Sequence, residues 1–409
     1  RGGYGTGLLE RFGSFSAEAS EEPRQGVYIH AVSVGEVFIA LKLIKQWLLV
    51  EPDLKVVLAA TTSTGHEVAL DNAPSEVRVI YSPLDFNTIV TAVLERFRPR
   101  QIVLIEAELW PNFVNVARQM EIPVAMVNAR LSKRSELRFK KFEALVEPLF
   151  EMVSLVCVQN EIDAERFATL GIDRSLIHVT GSVKFDPAGG SSPQKRDAFQ
   201  SILADFGVDV EGARKVVLLA SSHDGEEKLL ANAIRLLAVE ALLVVVPRHA
   251  ERRAQVVADL QSSGFDVILS SQYRVPKDIA KACLVIDTTG ELCDWTAHAD
   301  VAVIGKSWLA RGGQNPAEAI AAEVPVITGP HMQNFEPLVS MLQDAGGIIT
   351  LASADELGHR INELLVGGEQ VREMCRKAKN VLATHENAGQ KTIKLLNMNA
   401  SVRGGIMQE

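Results

Sequence analysis

The feature that most limits what this chain can fold into is an alternation. Short, continuous apolar runs take turns with stretches of about 10–15 residues of helix-forming composition. In the first half the runs are "GVYIHAV", "LKVVLAA", "VRVIYSP", "QIVLIEAE", "PVAMVNA" and "SLVCVQN". In the second half they are "KVVLLAS", "ALLVVVP", "FDVILS", "ACLVID", "VAVIG" and "VPVIT". A strand that is apolar at every position is buried on both faces, and strands separated by helices pair in parallel. Each half therefore reads as a doubly wound α/β domain. With 409 residues the chain is too long for one core, so two such domains are expected. The Gly-, Pro- and Ser-rich stretch "FDPAGGSSPQKRD" marks the join. The expected division is 1–185, a linker at 186–197, 198–385, and a closing helix over 386–409 that packs back on the first domain. Two doubly wound domains facing across a cleft put ligands at the carboxyl ends of their strands, so sites are sought in the loops after strands.

Composition excludes several classes. A formal net charge of −9 does not suit a general nucleic-acid binder. The four cysteines form no C-x-x-C pair, and no two histidines are spaced H-x-x-x-H, so neither a metal site nor a disulfide framework is implied. No apolar run approaches the roughly 18 residues that span a bilayer. Neither a G-x-x-x-x-G-K-[ST] loop nor a G-x-G-x-x-G turn after a strand occurs, which disfavours P-loop hydrolysis and NAD chemistry. No D-x-D triplet is present to clamp a metal-bound sugar nucleotide.

Several strand-end loops carry chemistry. In "YIHAVSVGEVFIALKLI" a strand turns at Ser33-Val34-Gly35 into a helix, and Glu36 sits in its first turn. There it is either a charge that suits a helix N-terminus or a group that reacts. The second half echoes the unit in "VVLLASSHDGEEKLLANAI", with Gly225-Glu226 at the equivalent place. Glu106 and Glu108 close another strand in "IEAELWPN", where Pro111 begins a helix. "NARLSKRSELRFKKF" places Lys133, Arg134, Arg138, Lys140 and Lys141 on one short helix, with Phe142, Leu145, Val146 and Leu149 as its buried stripe. Such a cluster is a solvated face or a contact for anionic headgroups. In "RGGQNPAEA" Gly312-Gly313 permits close backbone approach. Asn315 is placed as N-cap and Pro316 as the first helical residue, an arrangement that suits an anion as well as a simple cap. "VIDTTGELCDW" offers a second helix start, and Arg248-His249 in "VVVPRHAERR" close a strand where a phosphate or carboxylate can pair.

Taken in order, "ERFG", "HAVSVGE", "EAELWPN", "NARLS", "QNEIDAERF", "GSVKFD", "SSHDGEE", "VPRHAER", "DTTGEL" and "RGGQNPAEA" resemble the Kdo (3-deoxy-D-manno-octulosonic acid) transferase family along nearly the whole chain. The resemblance implies a GT-B glycosyltransferase, inverting and metal-independent, with no cofactor. It implies transfer of Kdo from CMP-Kdo to a lipid A precursor in lipopolysaccharide synthesis, at the cytoplasmic face of the inner membrane. An apolar anchor is expected upstream of Arg1. By family pattern Glu36 is the catalytic base, and Ser33, Gly35, Glu108 and Arg130 line the acceptor side. Ser222, Arg248, His249, Thr289, Gly290, Glu291, Lys306, Gly312, Gly313, Asn315 and Glu318 hold the donor, and the basic helix Lys133–Lys141 meets lipid phosphates. Three donor-side positions depart from the pattern: Gln314 stands where histidine is usual, Thr289 where methionine is common, and Lys306 where a second glycine is common. A UDP-sugar transferase or epimerase of the same fold, and a non-catalytic membrane-surface relative, stay open as alternatives.

Overall fold

The apolar runs become strands because each sends successive side chains into two separate cores. In the first sheet Tyr28, Val57, Ala59, Ile102, Leu104 and Met126 join one buried cluster. Their neighbours Val27, Ile29, Val56, Leu58, Val103 and Val127 join the other. This is the two-sided burial expected of a parallel sheet with helices on both faces. The computed structural model describes residues 7–15, 25–106, 109–186, 193–208, 214–235 and 237–404, without the side chains of residues 133, 143, 145 and 401–404. Glu108 and the 187–192 part of the expected linker lie outside the described residues.

The first sheet contains β1 (Val27–Ala31), β2 (Val56–Ala60), β3 (Val77–Tyr81), β4 (Gln101–Ile105), β5 (Val124–Ala129), β6 (Leu155–Val158) and β7 (Ile177–Val179). Their order is β3-β2-β1-β4-β5-β6-β7, every pair parallel. The second contains β8 (Lys215–Ser222), β9 (Ala241–Pro247), β10 (Asp266–Leu269), β11 (Ala282–Val285), β12 (Val301–Ile304), β13 (Val326–Thr328) and β14 (Ile349–Thr350). Their order is β10-β11-β9-β8-β12-β13-β14, again all parallel. In both sheets the strand order reverses beside the first strand in sequence: between β1 and β4, and between β8 and β12. The crevice at such a reversal is where open α/β sheets take ligands.

The chain divides into two units, residues 1–189 with 385–409, and residues 190–384. The first unit is completed by the helix Ala388–Gly404. That helix adds Ala388, Ile393 and Leu396 to the core formed by the helix Val34–Val50, whose Trp47 is fully buried. The Asp186 carboxylate receives the backbone N–H groups of Asn387 and Gly389, both at 3.0 Å, at the start of the C-terminal helix. The N–H of Ser182 bonds to His385 Nδ1 at 3.1 Å. In the second unit, Leu230, Ala231 and Ile234 of the helix Glu226–Ile234 pack on Val217, Leu219, Leu243 and Val245 of the sheet. Among the described residues no helix is long and apolar enough to cross a membrane.

Candidate active site

In the first unit the turn after β1 opens at the β1/β4 reversal. Ser33, extended at φ −108° and ψ 164°, is the N-cap of the helix Val34–Val50. Its oxygen accepts the N–H of Glu36 at 3.3 Å, and its hydroxyl donates to Glu36 Oε1 at 2.7 Å. Glu36 Oε2 accepts the N–H of Val32 at 2.8 Å. This is a variant of the capping box: the serine accepts the N–H of the glutamate three residues on, and the glutamate reaches back to the N–H of Val32, one residue before the cap. Glu36 is 7% exposed, whereas Ser33 and Gly35 beside it are open to solvent. Below the turn, on β1, lies His30, buried with both ring nitrogens unpartnered, 5.4 Å from the Trp110 ring and 5.9 Å from the Phe113 ring. Burial lowers its pKa to about 4, so it is neutral at neutral pH.

The neighbouring strand ends bring together residues distant in sequence. Glu106, just past β4 at φ +61°, pairs with Arg130 Nε at 3.2 Å. Asn128, buried at φ +54°, accepts from the Ser182 hydroxyl at 3.1 Å and the Val183 N–H at 2.9 Å. That bond pair draws "GSVKFD" beside "NARLS". Lys184 thus lies near Arg130 and Glu106, and its pKa is lowered by desolvation and by Arg130, against the pull of Glu106. Lys184 belongs to a quoted motif but stands outside the predicted site, because only the bonds from Ser182 and Val183 to Asn128, more than 50 residues away, reveal its place.

The basic helix Lys133–Lys141 is capped by Ser132, which accepts the Ser135 N–H at 3.1 Å. Arg134, Arg138, Lys140 and Lys141 are exposed, and Lys140 pairs with Glu136 at 2.8 Å. The expected buried stripe needs correction at Phe142, which is 48% exposed. The helix ends there and a new one, Glu143–Phe150, begins, so a single 3.6-residue period does not run through. Phe139 faces inward in its place, edge-to-face with Phe150 at 5.8 Å, while Val146 and Leu149 keep their predicted packing. Leu137 is 70% exposed, so the outer surface of this segment is both basic and apolar.

In the second unit the turn after β8 opens at the β8/β12 reversal. Glu226 and Glu227 are both fully buried. Glu226 accepts three backbone N–H groups, from His223 (3.0 Å), Lys306 (2.7 Å) and Trp308 (3.1 Å). It thereby pins the loop after β12, with Lys306 at φ +55°, against the turn after β8. Glu227 accepts the Ser222 hydroxyl at 2.7 Å and pairs with Arg252 at 3.0 and 3.3 Å. The predicted Ser222 is therefore buried and bonded within the protein. Arg248, exposed, donates its backbone N–H to the Ser222 carbonyl at 3.1 Å, and His249 follows it, also exposed. The His223 ring is 6.2 Å from that of His249, and its Nδ1 is buried without a partner. Sequence reasoning passed over His223; the signal was its place between a strand end and Gly-Glu.

The remaining predicted donor residues lie on two short helix starts. Glu291 is the N-cap of the helix Leu292–Thr296 and receives the Thr288 hydroxyl; Thr289 and Gly290 are exposed. That helix packs on the helix Ala317–Ala321. Here the predicted cap shifts by one residue: Pro316 is the N-cap, and Asn315 Oδ1 accepts the Ala317 N–H at 3.1 Å from just outside. Proline's φ of −85° and ψ of −11° carry the backbone into the helix without yet counting as its first turn. Gly312 (φ +121°) and Gly313 (φ +73°) are approached closely by the protein itself. A Cβ would lie 2.6 Å from Asn334 Nδ2 at the first and 2.3 Å from Met332 Sδ at the second. Glu318 has one carboxylate oxygen buried and unpartnered; burial raises its pKa, while nearby Arg248 pulls it down.

The sequence model of one family, described as 3-Deoxy-D-manno-octulosonic-acid transferase (kdotransferase), matches residues 6–187. A 3-deoxy-D-manno-octulosonic acid transferase of Haemophilus influenzae is 33% identical, over 96% of this chain and 91% of its own length. The chain belongs to the Kdo transferase family. Its relative from Bordetella pertussis, of the same description, is 32% identical over 94% of this chain and 90% of that protein. Among solved structures, Acinetobacter baumannii MurG superimposes with a TM-score of 0.57 at 14% identity, covering 92% of this chain and all of that one. That likeness is one of fold, the GT-B fold of two Rossmann-like units. This Kdo transferase family member is thus a GT-B glycosyltransferase, and the two strand-order reversals are where its chemistry is to be sought.

Proposed function

We propose that the protein transfers Kdo from CMP-Kdo to a lipid A precursor with inversion and without a metal, using Glu36 as base. The observation that carries this reading is the position of Glu36. It stands on the matched "SVGE" motif at the first unit's strand-order reversal, with exposed Ser33 and Gly35 at its side. The bonds from Val32 and Ser33 fix the carboxylate's direction, and an ionised carboxylate so held can accept a proton. Deprotonation makes the acceptor sugar hydroxyl a nucleophile toward the anomeric carbon of Kdo. In the second unit Arg248 and Lys306 supply positive charge for the departing phosphate, with His249 beside Arg248. Glu318, with its unpartnered oxygen, accepts from the donor's hydroxyl groups. The acceptor side is completed by Arg130 and by Glu108. The exposed cations and apolar side chains of the 133–142 segment meet an anionic membrane surface.

The test is incubation with CMP-Kdo and a tetraacylated lipid A precursor, followed by mass analysis of the product. One or more added Kdo masses are expected. No product, with UDP rather than CMP stabilising the protein against heat, overturns the donor assignment in favour of a UDP-sugar enzyme of the same fold.

A further inference from the structure

The second unit carries a feature that the proposed reaction leaves unused. Two fully buried glutamates lie side by side, and both turn inward. Glu227 is satisfied by Ser222 and Arg252, and Glu226 by three backbone N–H groups. Because one oxygen of Glu226 accepts from both His223 and Lys306, those two residues are held next to each other although they lie on different loops. The turn after β9 adds Arg248, His249 and Arg252. The result is a rim of basic groups around one imidazole. His223 faces Glu226 from its own helix start, Lys306 from the loop after β12, and His249 and Arg252 from the turn after β9. Asp224 is exposed and lies 3.6 Å from Arg252. The His223 Nδ1 is buried with no hydrogen-bond partner, which costs free energy unless a ligand or water supplies one.

We propose that His223 is a phosphate-binding residue of the donor site that takes up a proton when the nucleotide's phosphate arrives. This rests on the reading of the second unit as the CMP-binding side. In the free protein, burial and the neighbouring Lys306, Arg252 and His249 push the imidazole pKa down, and Glu226 only partly opposes them. The ring is therefore neutral near pH 7. A bound phosphate reverses that balance: it brings negative charge within reach of the ring, raises the pKa, and makes both ring nitrogens donors. The proton comes from solvent, so no bond in the nucleotide is made or broken. Lys306 and Arg248 stay charged throughout and supply the pH-independent part of the affinity. His223 supplies the part that grows as pH falls.

The experiment is calorimetric titration of the whole protein with CMP at about pH 7, in buffers of different ionisation enthalpy, for the wild type, H223Q and H249Q. Circular dichroism checks that each variant is folded. The difference between wild type and H223Q cancels any proton exchanged by the nucleotide's own phosphate. The wild type and H249Q are expected to take up a fraction of a proton more than H223Q. H223Q should bind CMP roughly tenfold more weakly at about pH 6, and less than about threefold more weakly at about pH 8. Proton uptake equal in wild type and H223Q, with CMP still bound, overturns this inference and leaves the donor reading intact. No CMP binding by the folded wild type overturns the donor reading and this inference with it.

Discussion

The turn after β1 and the turn after β8 share a sequence grammar but treat their glutamates differently. Glu36 bonds to Val32 and Ser33 at its own helix start. Glu226 reaches 80 residues along the chain to Lys306 and ties two strand-end loops together. The first carboxylate is held still at the edge of an open turn; the second is enclosed and structural. A Gly-Glu pair at a strand end is thus two devices, told apart by what the carboxylate reaches.

The largest expected effect tests that distinction directly. Glu36→Gln should keep the fold and CMP binding while transfer falls by about 10²–10⁴-fold, the usual contribution of a general base. Turnover followed by mass spectrometry checks it, and near-normal activity would remove Glu36 from the role of base. Glu226→Ala should act on the other side of the comparison. It strips three buried N–H groups of their acceptor, so stability should drop by about 3 kcal/mol in urea denaturation and CMP binding should weaken with it. An unchanged urea midpoint would show that Glu226 is not the pin between the two loops.

A third prediction concerns pH beneath the first turn. His30 titrates at about 4 in the fold against 6.5 when free. The unfolded chain therefore binds the extra proton first as pH falls. Stability from this group is complete above pH 6.5 and is lost between there and about pH 4, by roughly 3 kcal/mol in all. His385, also held near 4, adds a second increment of the same sign. Replacing His30 with Leu should flatten part of this slope in denaturation midpoints measured from about pH 4 to 7; an unaltered slope would mean His30 does not cause it. The smallest effect separates the units by membrane contact. Arg138→Gln should weaken binding to anionic vesicles by about fivefold at low salt, less as salt rises. Arg248→Gln should leave vesicle binding unchanged, and equal losses in both would erase the distinction.

Much of the fold is legible in the sequence. All twelve apolar runs are strands, because burial on both faces writes a continuous apolar signal. The two strands missed, β7 and β14, each lie at a sheet edge and are only three and two residues long. An edge strand has one neighbour to satisfy and too few residues to set a period. The Ser33-to-Glu36 turn could be located from its residues, but the enclosure of Glu226 could not, since it depends on the pairing of β8 with β12. The same holds for His223 and Lys184, whose partners come from other loops. Phe142 misled because a helix break is invisible to a count of apolar spacing.

The clamp of Asp186 on the start of the C-terminal helix has a consequence for how the protein is made. The first unit's core lacks Ala388, Ile393 and Leu396 until the ribosome has passed them. Residues 190–384 are synthesised whole before that point. During translation the later unit can therefore mature first, while the earlier one waits with part of its sheet face uncovered. Order of synthesis and order of completion run in opposite directions along this chain.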